Sequence, residues 1–278
     1  MNLLKIIDQL QLDKIDQEEF LKPAMRRGLF KKASDYSLKA ALTSLPFALF
    51  AMPKIASAHT LDTVTDALNF ALTLEYLEAD YYTKGLASPG LIASTDLAIF
   101  QQISQHETAH VAFLKSVLGA NAVAKPNFDF TGSKNGTVTA TYPDVFTNYQ
   151  TFLALAQAFE DTGVRAYKGQ AGNLITDDVA LTAALQIHSV EARHASEVRR
   201  LRGLKGWIVQ SQNDGLPAAI YNAGNPSSTF PAESNLTQGG VNLSILASSE
   251  ITVNNITEAF DEPLDSATVL SIAGGFIY

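Results

Sequence analysis

Glu107-Thr108-Ala109-His110 and Glu191-Ala192-Arg193-His194 are two copies of one short pattern, Glu-x-x-His. On a helix, residues three apart share a face, so each copy points a carboxylate and an imidazole the same way. A lone glutamate precedes each copy at nearly equal distance, Glu75 before Glu107 and Glu160 before Glu191. Each lone glutamate is followed seven residues later by a tyrosine, Tyr82 and Tyr167. The chain therefore reads as one unit used twice, a helix with a single glutamate and then a Glu-x-x-His helix. Four glutamates and two histidines in this order fit a two-metal carboxylate site inside a four-helix bundle.

The flanking residues support four helices. Val64, Ala67, Leu68, Ala71, Leu72, Glu75, Glu78, Ala79 and Tyr82 form one stripe on a helix expected over 63–84, with Asp62 as its N-cap. A glutamate inside an apolar stripe is costly unless it is paired or metal-bound, which is the physical reason to single out Glu75. The second helix is expected over 94–118, stopped by Gly119. The third is expected over 144–169, and the fourth over 177–203. Between the second and third, residues 119–147 carry Pro126, Phe128, Phe130, Gly132, Gly136 and Pro143, which suggest turns and a small hairpin. A connection this long can return along the bundle before the third helix begins. Gly163 takes the place of Glu78 in the second copy, a small residue that admits a close neighbour.

Composition bounds the rest. The 278 residues are 46% apolar and 17% charged, enough apolar content for a sizeable core. Net charge is −8, and the first 58 residues carry 9 Lys/Arg against 6 Asp/Glu, which leaves −11 on the remainder. An acidic body argues against nucleic-acid binding and favours cations. There is no cysteine, so any metal is held by oxygen and imidazole nitrogen. In the lead, Arg26-Arg27-Gly28-Leu29-Phe30-Lys31 resembles a twin-arginine export signal, and Ala56-Ser57-Ala58 a cleavage pattern that would start the mature chain near His59. A basic amphipathic helix that stays attached is the alternative. The apolar run from Ala40 to Met52 is shorter than the about 20 residues of a membrane span, so no integral span is expected.

Residues 204–278 lose helical periodicity and read as an irregular C-terminal extension packed on the bundle. Trp207 is expected to anchor it. A single helical turn is expected over 258–264, and a short last helix over 266–273 capped by Asp265. The cluster Arg199, Arg200, Arg202 and Lys205 is read as complementing the dipole at the end of the fourth helix.

The expected metal ligands are Glu75, Glu107, His110, Glu160, Glu191 and His194. Glu107 and Glu191 would bridge two metals, Glu75 and His110 would complete one coordination sphere, and Glu160 and His194 the other. Carboxylate plus imidazole suits iron or manganese. Glu78 is weighed as an extra ligand or a hydrogen-bond partner to the ligands, and His188 as a partner to them. His106 is read as exposed or at a helix contact. Tyr82 and Tyr167 either bond ligand carboxylates across the bundle or sit in the core. Neither motif is the His-Glu-x-x-His of zinc peptidases.

The two Glu-x-x-His units, with Glu75-Tyr76-Leu77-Glu78-Ala79 and Tyr82, resemble the ferritin-like superfamily over about 61–203. The layout is most similar to exported ferritin-like-domain proteins and their desiccation-related plant relatives. The resemblance implies an all-α ferritin-like bundle with one long crossover and a di-iron site, with di-manganese as the alternative. It also implies ferroxidase or peroxide-consuming chemistry, with metal ions and oxygen or peroxide as partners and a homodimer as a candidate assembly. The long extension differs from cage-forming ferritins, and the missing cysteines exclude the electron relay of rubrerythrins. A non-enzymatic protein of stress or desiccation, with a structural metal or none, is the competing expectation.

Overall fold

The apolar stripes become four long helices in the computed structural model, which describes residues 64–224 and 230–278. α1 spans Val64–Ala87, α2 Leu97–Leu118, α3 Tyr149–Gln170 and α4 Asp178–Leu201. Their ends follow local chemistry. Gly119 closes α2 with φ +54, a left-handed backbone that glycine adopts without strain. Asn148 caps α3, accepting from the Gln150 N–H at 3.0 Å. Thr147 and Asn148 both donate backbone N–H groups to the Asp144 carbonyl, at 2.9 and 2.8 Å. That turn uses up residues 144–148 and starts α3 later than the stripe suggests. Asp177 caps α4 by accepting from Val179 and Ala180.

Side-chain contacts fix the helix directions. Tyr82 on α1 reaches Glu160 on α3, and Tyr167 on α3 reaches Glu75 on α1, so α1 and α3 are antiparallel. His106 and His110 on α2 meet His194 and Glu191 on α4 in reversed order, so these two are antiparallel as well. Short loops make α1–α2 and α3–α4 antiparallel neighbours. The connection from α2 to α3 must then run the length of a helix, about 33 Å for a helix of this size. The result is an all-α four-helix bundle with one long crossover.

The crossover holds to the bundle by Phe128, Phe130 and Val145, all buried, and by an ion pair from Lys125 to Asp80 on α1. The small hairpin expected within 119–147 is not there. The segment makes one isolated bridge instead, Phe128 with Ile277 of the C-terminus. The Phe276 carbonyl accepts from the Asp129 N–H at 2.8 Å beside it. A two-stranded hairpin does form in the extension, β1 Thr237–Gln238 with β2 Val241–Asn242.

The extension is tied down by charge, not by tryptophan. Trp207 is 44% exposed. Its expected anchoring role falls to Arg165 on α3, which is fully buried. The Arg165 guanidinium donates to the carbonyls of Ile220, Asn222, Pro231, Glu262 and Pro263 and sits 2.8 Å from Glu233. Three passes of the extension converge on this one side chain. Arg199, read from the sequence as complementing the helix dipole, has specific partners. It is buried and pairs with Asp161 at 2.7 Å and Asp214 at 3.0 Å. The helical turn expected over 258–264 lies earlier, as α5 Val253–Thr257, closed by a capping box at Thr252. The last helix, α6, spans Ser266–Ala273, with Asp265 accepting from the Thr268 N–H at 2.9 Å. Among the described residues no helix is long and apolar enough to cross a membrane. The twin-arginine reading, the cleavage near His59 and the Asp62 cap lie outside the described residues.

Candidate metal centre

All six expected ligands meet at the centre of the bundle. Glu75 comes from α1, Glu107 and His110 from α2, Glu160 from α3, and Glu191 and His194 from α4. The four glutamates have no solvent exposure. They form two overlapping groups, Glu75–Glu107–His110–Glu191 and Glu107–Glu160–Glu191–His194, with ligand atoms of each group within 4.8 Å of one another.

The two histidines show how the groups are shared. His110 Nδ1 lies 3.1 Å from Glu75 Oε2, 3.2 Å from Glu107 Oε2 and 3.2 Å from Glu191 Oε1. His194 Nδ1 lies 2.8 Å from Glu107 Oε1, 3.4 Å from Glu160 Oε2 and 3.9 Å from Glu191 Oε2. Glu107 and Glu191 thus each turn one oxygen to each half. Glu75 and Glu160 each serve one half only. Their outer oxygens are held by the opposite tyrosines, Tyr167 on Glu75 and Tyr82 on Glu160. Of the two roles weighed for these tyrosines, bonding across the bundle is the one observed. It leaves the inner oxygen of each lone glutamate facing the histidine of its own half, His110 at 3.1 Å and His194 at 3.4 Å.

Burial and crowding shift the protonation of the whole cluster. Burial pushes Glu75 up to about 8. Burial, with Glu107 and Glu75 as like charges, holds Glu191 well above the ordinary carboxylate range. Burial also raises Glu160. For Glu107 burial opposes ionisation but is outweighed by His110 and His194, which hold it near 2. The carboxylates in turn overcome burial to push His110 up to about 12 and His194 to about 11. Burial thus holds Glu75, Glu160 and Glu191 toward the protonated form, and these are protons that a bound cation would displace. Glu107 Oε1, Glu160 Oε2, both Glu191 oxygens and His194 Nδ1 are buried without a well-directed hydrogen bond. Such atoms cost free energy unless something satisfies them. A donor set of carboxylate and imidazole suits a first-row divalent ion, so this buried group could hold metal.

The neighbours divide. Glu78 is buried beside the cluster, driven well above its usual range by burial and by Glu191 and Glu160. Gly163 makes room for it. A Cβ there would lie 3.2 Å from Glu78 Oε1 and 3.4 Å from Glu191 Oε2. Ile272 and Ala273 of α6 line the same small cleft as Glu78 and Gly163, so the extension covers this side. His188 does not join the ligands. It is half-buried near Lys168, Asp261 and the Val164 backbone. His106 makes a helix contact, 2.9 Å from His194.

Comparison with curated proteins returns no match to this chain. Comparison with known families matches the ferritin-like domain over residues 63–204, just over half of the chain. The match begins just ahead of α1, takes in all four bundle helices with all six clustered side chains, and ends just past α4. The chain belongs to the ferritin-like domain family.

Proposed function

We propose that the six residues hold two metal ions, iron or manganese, and that the protein is an exported oxidoreductase acting on oxygen or peroxide. The carrying observation is the split of Glu107 and Glu191, each with one oxygen toward His110 and one toward His194. That is the arrangement two bridging carboxylates need. Charge balance supports it, since four carboxylates neutralise two divalent ions inside a dry core. Two reduced ions held there would supply the two electrons that take peroxide to water, or dioxygen to peroxide.

The chain's own part is binding, orientation and shielding. Glu75 and His110 serve one ion, Glu160 and His194 the other. Tyr82 and Tyr167 fix the lone carboxylates in one rotamer. Deprotonation of His110 and His194 accompanies loading, because a protonated imidazole has no lone pair for a metal. The Arg26-Arg27 lead and the Ala56-Ser57-Ala58 pattern support export, a route that suits a protein already folded around its metal.

One observation favours a second reading, a metal that only staples the bundle. The His110 side chain is 12% exposed and the glutamates not at all, so the centre is closed like a structural site. In that reading the protein has no turnover and serves in stress or desiccation. Rapid mixing of the ferrous protein with oxygen and, separately, with peroxide distinguishes the two. An absorbance change within seconds is the expected result. Its absence with both oxidants would leave the structural reading standing.

A further inference from the structure

The two halves of the repeat are not equivalent. His194 presents Nδ1 to Glu107 and Glu160 and turns Nε2 outward. There Nε2 lies 2.9 Å from His106 Nδ1. The two rings are nearly coplanar, with centroids 5.2 Å apart and planes within 13°, so they meet edge to edge through this contact. His106 Nε2 in turn lies 2.7 Å from the Gln102 side-chain amide, one turn earlier on α2 at the surface. In the other half, the Nδ1 of His110 also faces carboxylates. Among the described residues its Nε2 has no partner. The sequence explains the difference: His106 immediately precedes Glu107, whereas Val190 precedes Glu191.

We infer that His106 is a positioning residue that orients His194, so that the Glu160–His194 half binds its metal ion more tightly than the Glu75–His110 half. This rests on the two-ion reading above. A ligand imidazole must offer Nδ1 as a lone pair, so its proton sits on Nε2 and needs an acceptor. His106 Nδ1 is that acceptor, and its own Nε2–H then donates to Gln102. An amide turned by 180° offers oxygen where it offered nitrogen, so Gln102 accommodates the chain running outward. The His106 ring, set edge to edge against His194, also keeps it from rotating away when the site is empty. His110 lacks both constraints and pays more entropy to be ordered. Loss of such a hydrogen-bond partner to a ligand imidazole typically weakens metal binding about 10- to 100-fold.

The test is anaerobic titration of the full chain with cobalt(II), followed by its visible absorption. The wild type takes up two ions in two resolved steps. His106→Leu weakens the first, tighter step about 10- to 100-fold and leaves the second unchanged. His106→Gln, which restores an acceptor of similar reach, recovers most of the loss. A merely structural role would move both steps together and would not separate Gln from Leu. A His106→Leu protein indistinguishable from wild type overturns the inference, as does a His106→Gln protein as weak as His106→Leu. A wild-type chain that binds fewer than two cobalt ions overturns the two-ion reading itself, and this inference with it.

Discussion

Glu160 and Asp161 are adjacent on α3, both buried, and they meet opposite fates. Asp161 is satisfied by its own chain. It accepts from Arg199 at 2.7 Å, Tyr221 at 2.6 Å and Gln157 at 3.1 Å. Glu160 turns the other way, into the ligand group, where its partners are the Tyr82 hydroxyl and His194 at 3.4 Å. Asp161 holds Tyr221 of the extension by its carboxylate, and Arg165 holds the extension's carbonyls by its guanidinium. Five carboxylates at the centre, Glu75, Glu78, Glu107, Glu160 and Glu191, have two imidazoles between them. A buried carboxylate with a built-in cation belongs to the fold. A buried cluster of carboxylates and imidazoles with orphaned oxygens could hold a cation from outside.

Breaking the self-sufficient side is expected to cost most. Arg165→Leu leaves five carbonyls and Glu233 without their donor, and should lower stability by about 3 to 5 kcal/mol in a urea melt. A loss under 1 kcal/mol would show that the extension does not depend on this anchor. The same region carries a pH dependence. Burial pushes Glu233 up to about 8 in spite of Arg165, above its ordinary 4.5. The folded state therefore holds this proton where the unfolded state has lost it. The contribution is complete below about pH 4.5 and is lost as pH rises toward 8. Melting temperatures of wild type should fall relative to Glu233→Gln across that window. Parallel curves would remove Glu233 as the cause.

On the cation-poor side the sign reverses. In metal-free protein at neutral pH, Glu191→Gln removes the cost of keeping a buried carboxyl protonated and should raise stability by about 1 to 2 kcal/mol, while metal binding is lost. A destabilised metal-free variant would mean that the cluster is satisfied without metal. The smallest effects concern the tyrosines. Tyr82→Phe and Tyr167→Phe each delete one hydrogen bond to a lone glutamate, worth about 1 kcal/mol. Because they are repeat partners, each should weaken its own half by a similar factor in a metal titration. An effect at one tyrosine alone would confine the symmetry to the backbone.

These two regions also differ in how readily the sequence reveals them. The centre is periodic. Glu-x-x-His recurs, the lone glutamates precede it at matched distances, and Tyr82 and Tyr167 repeat in register, so helix geometry alone brings the six residues onto inward faces. Gly163 marks the space for Glu78 in the same register. The anchor has no period. Arg165 bonds carbonyls of residues 55 to 98 positions away, and no spacing rule reaches that far. Arg199 looks like any cation near a helix end until the extension buries it. Trp207 has the size of an anchor but sits on the outside. His106 reads as a neighbour pointing aside. Only the antiparallel pairing of α2 with α4 turns that direction toward His194.

The most direct measurement is the metal content of the full chain from its native expression, with Glu107→Ala and Glu191→Ala beside it. Elemental analysis should give two iron or manganese ions per wild-type chain and clearly fewer in both variants, since each removes a carboxylate shared by both halves. Unchanged stoichiometry in the variants, or a wild-type chain without metal, would contradict the assignment.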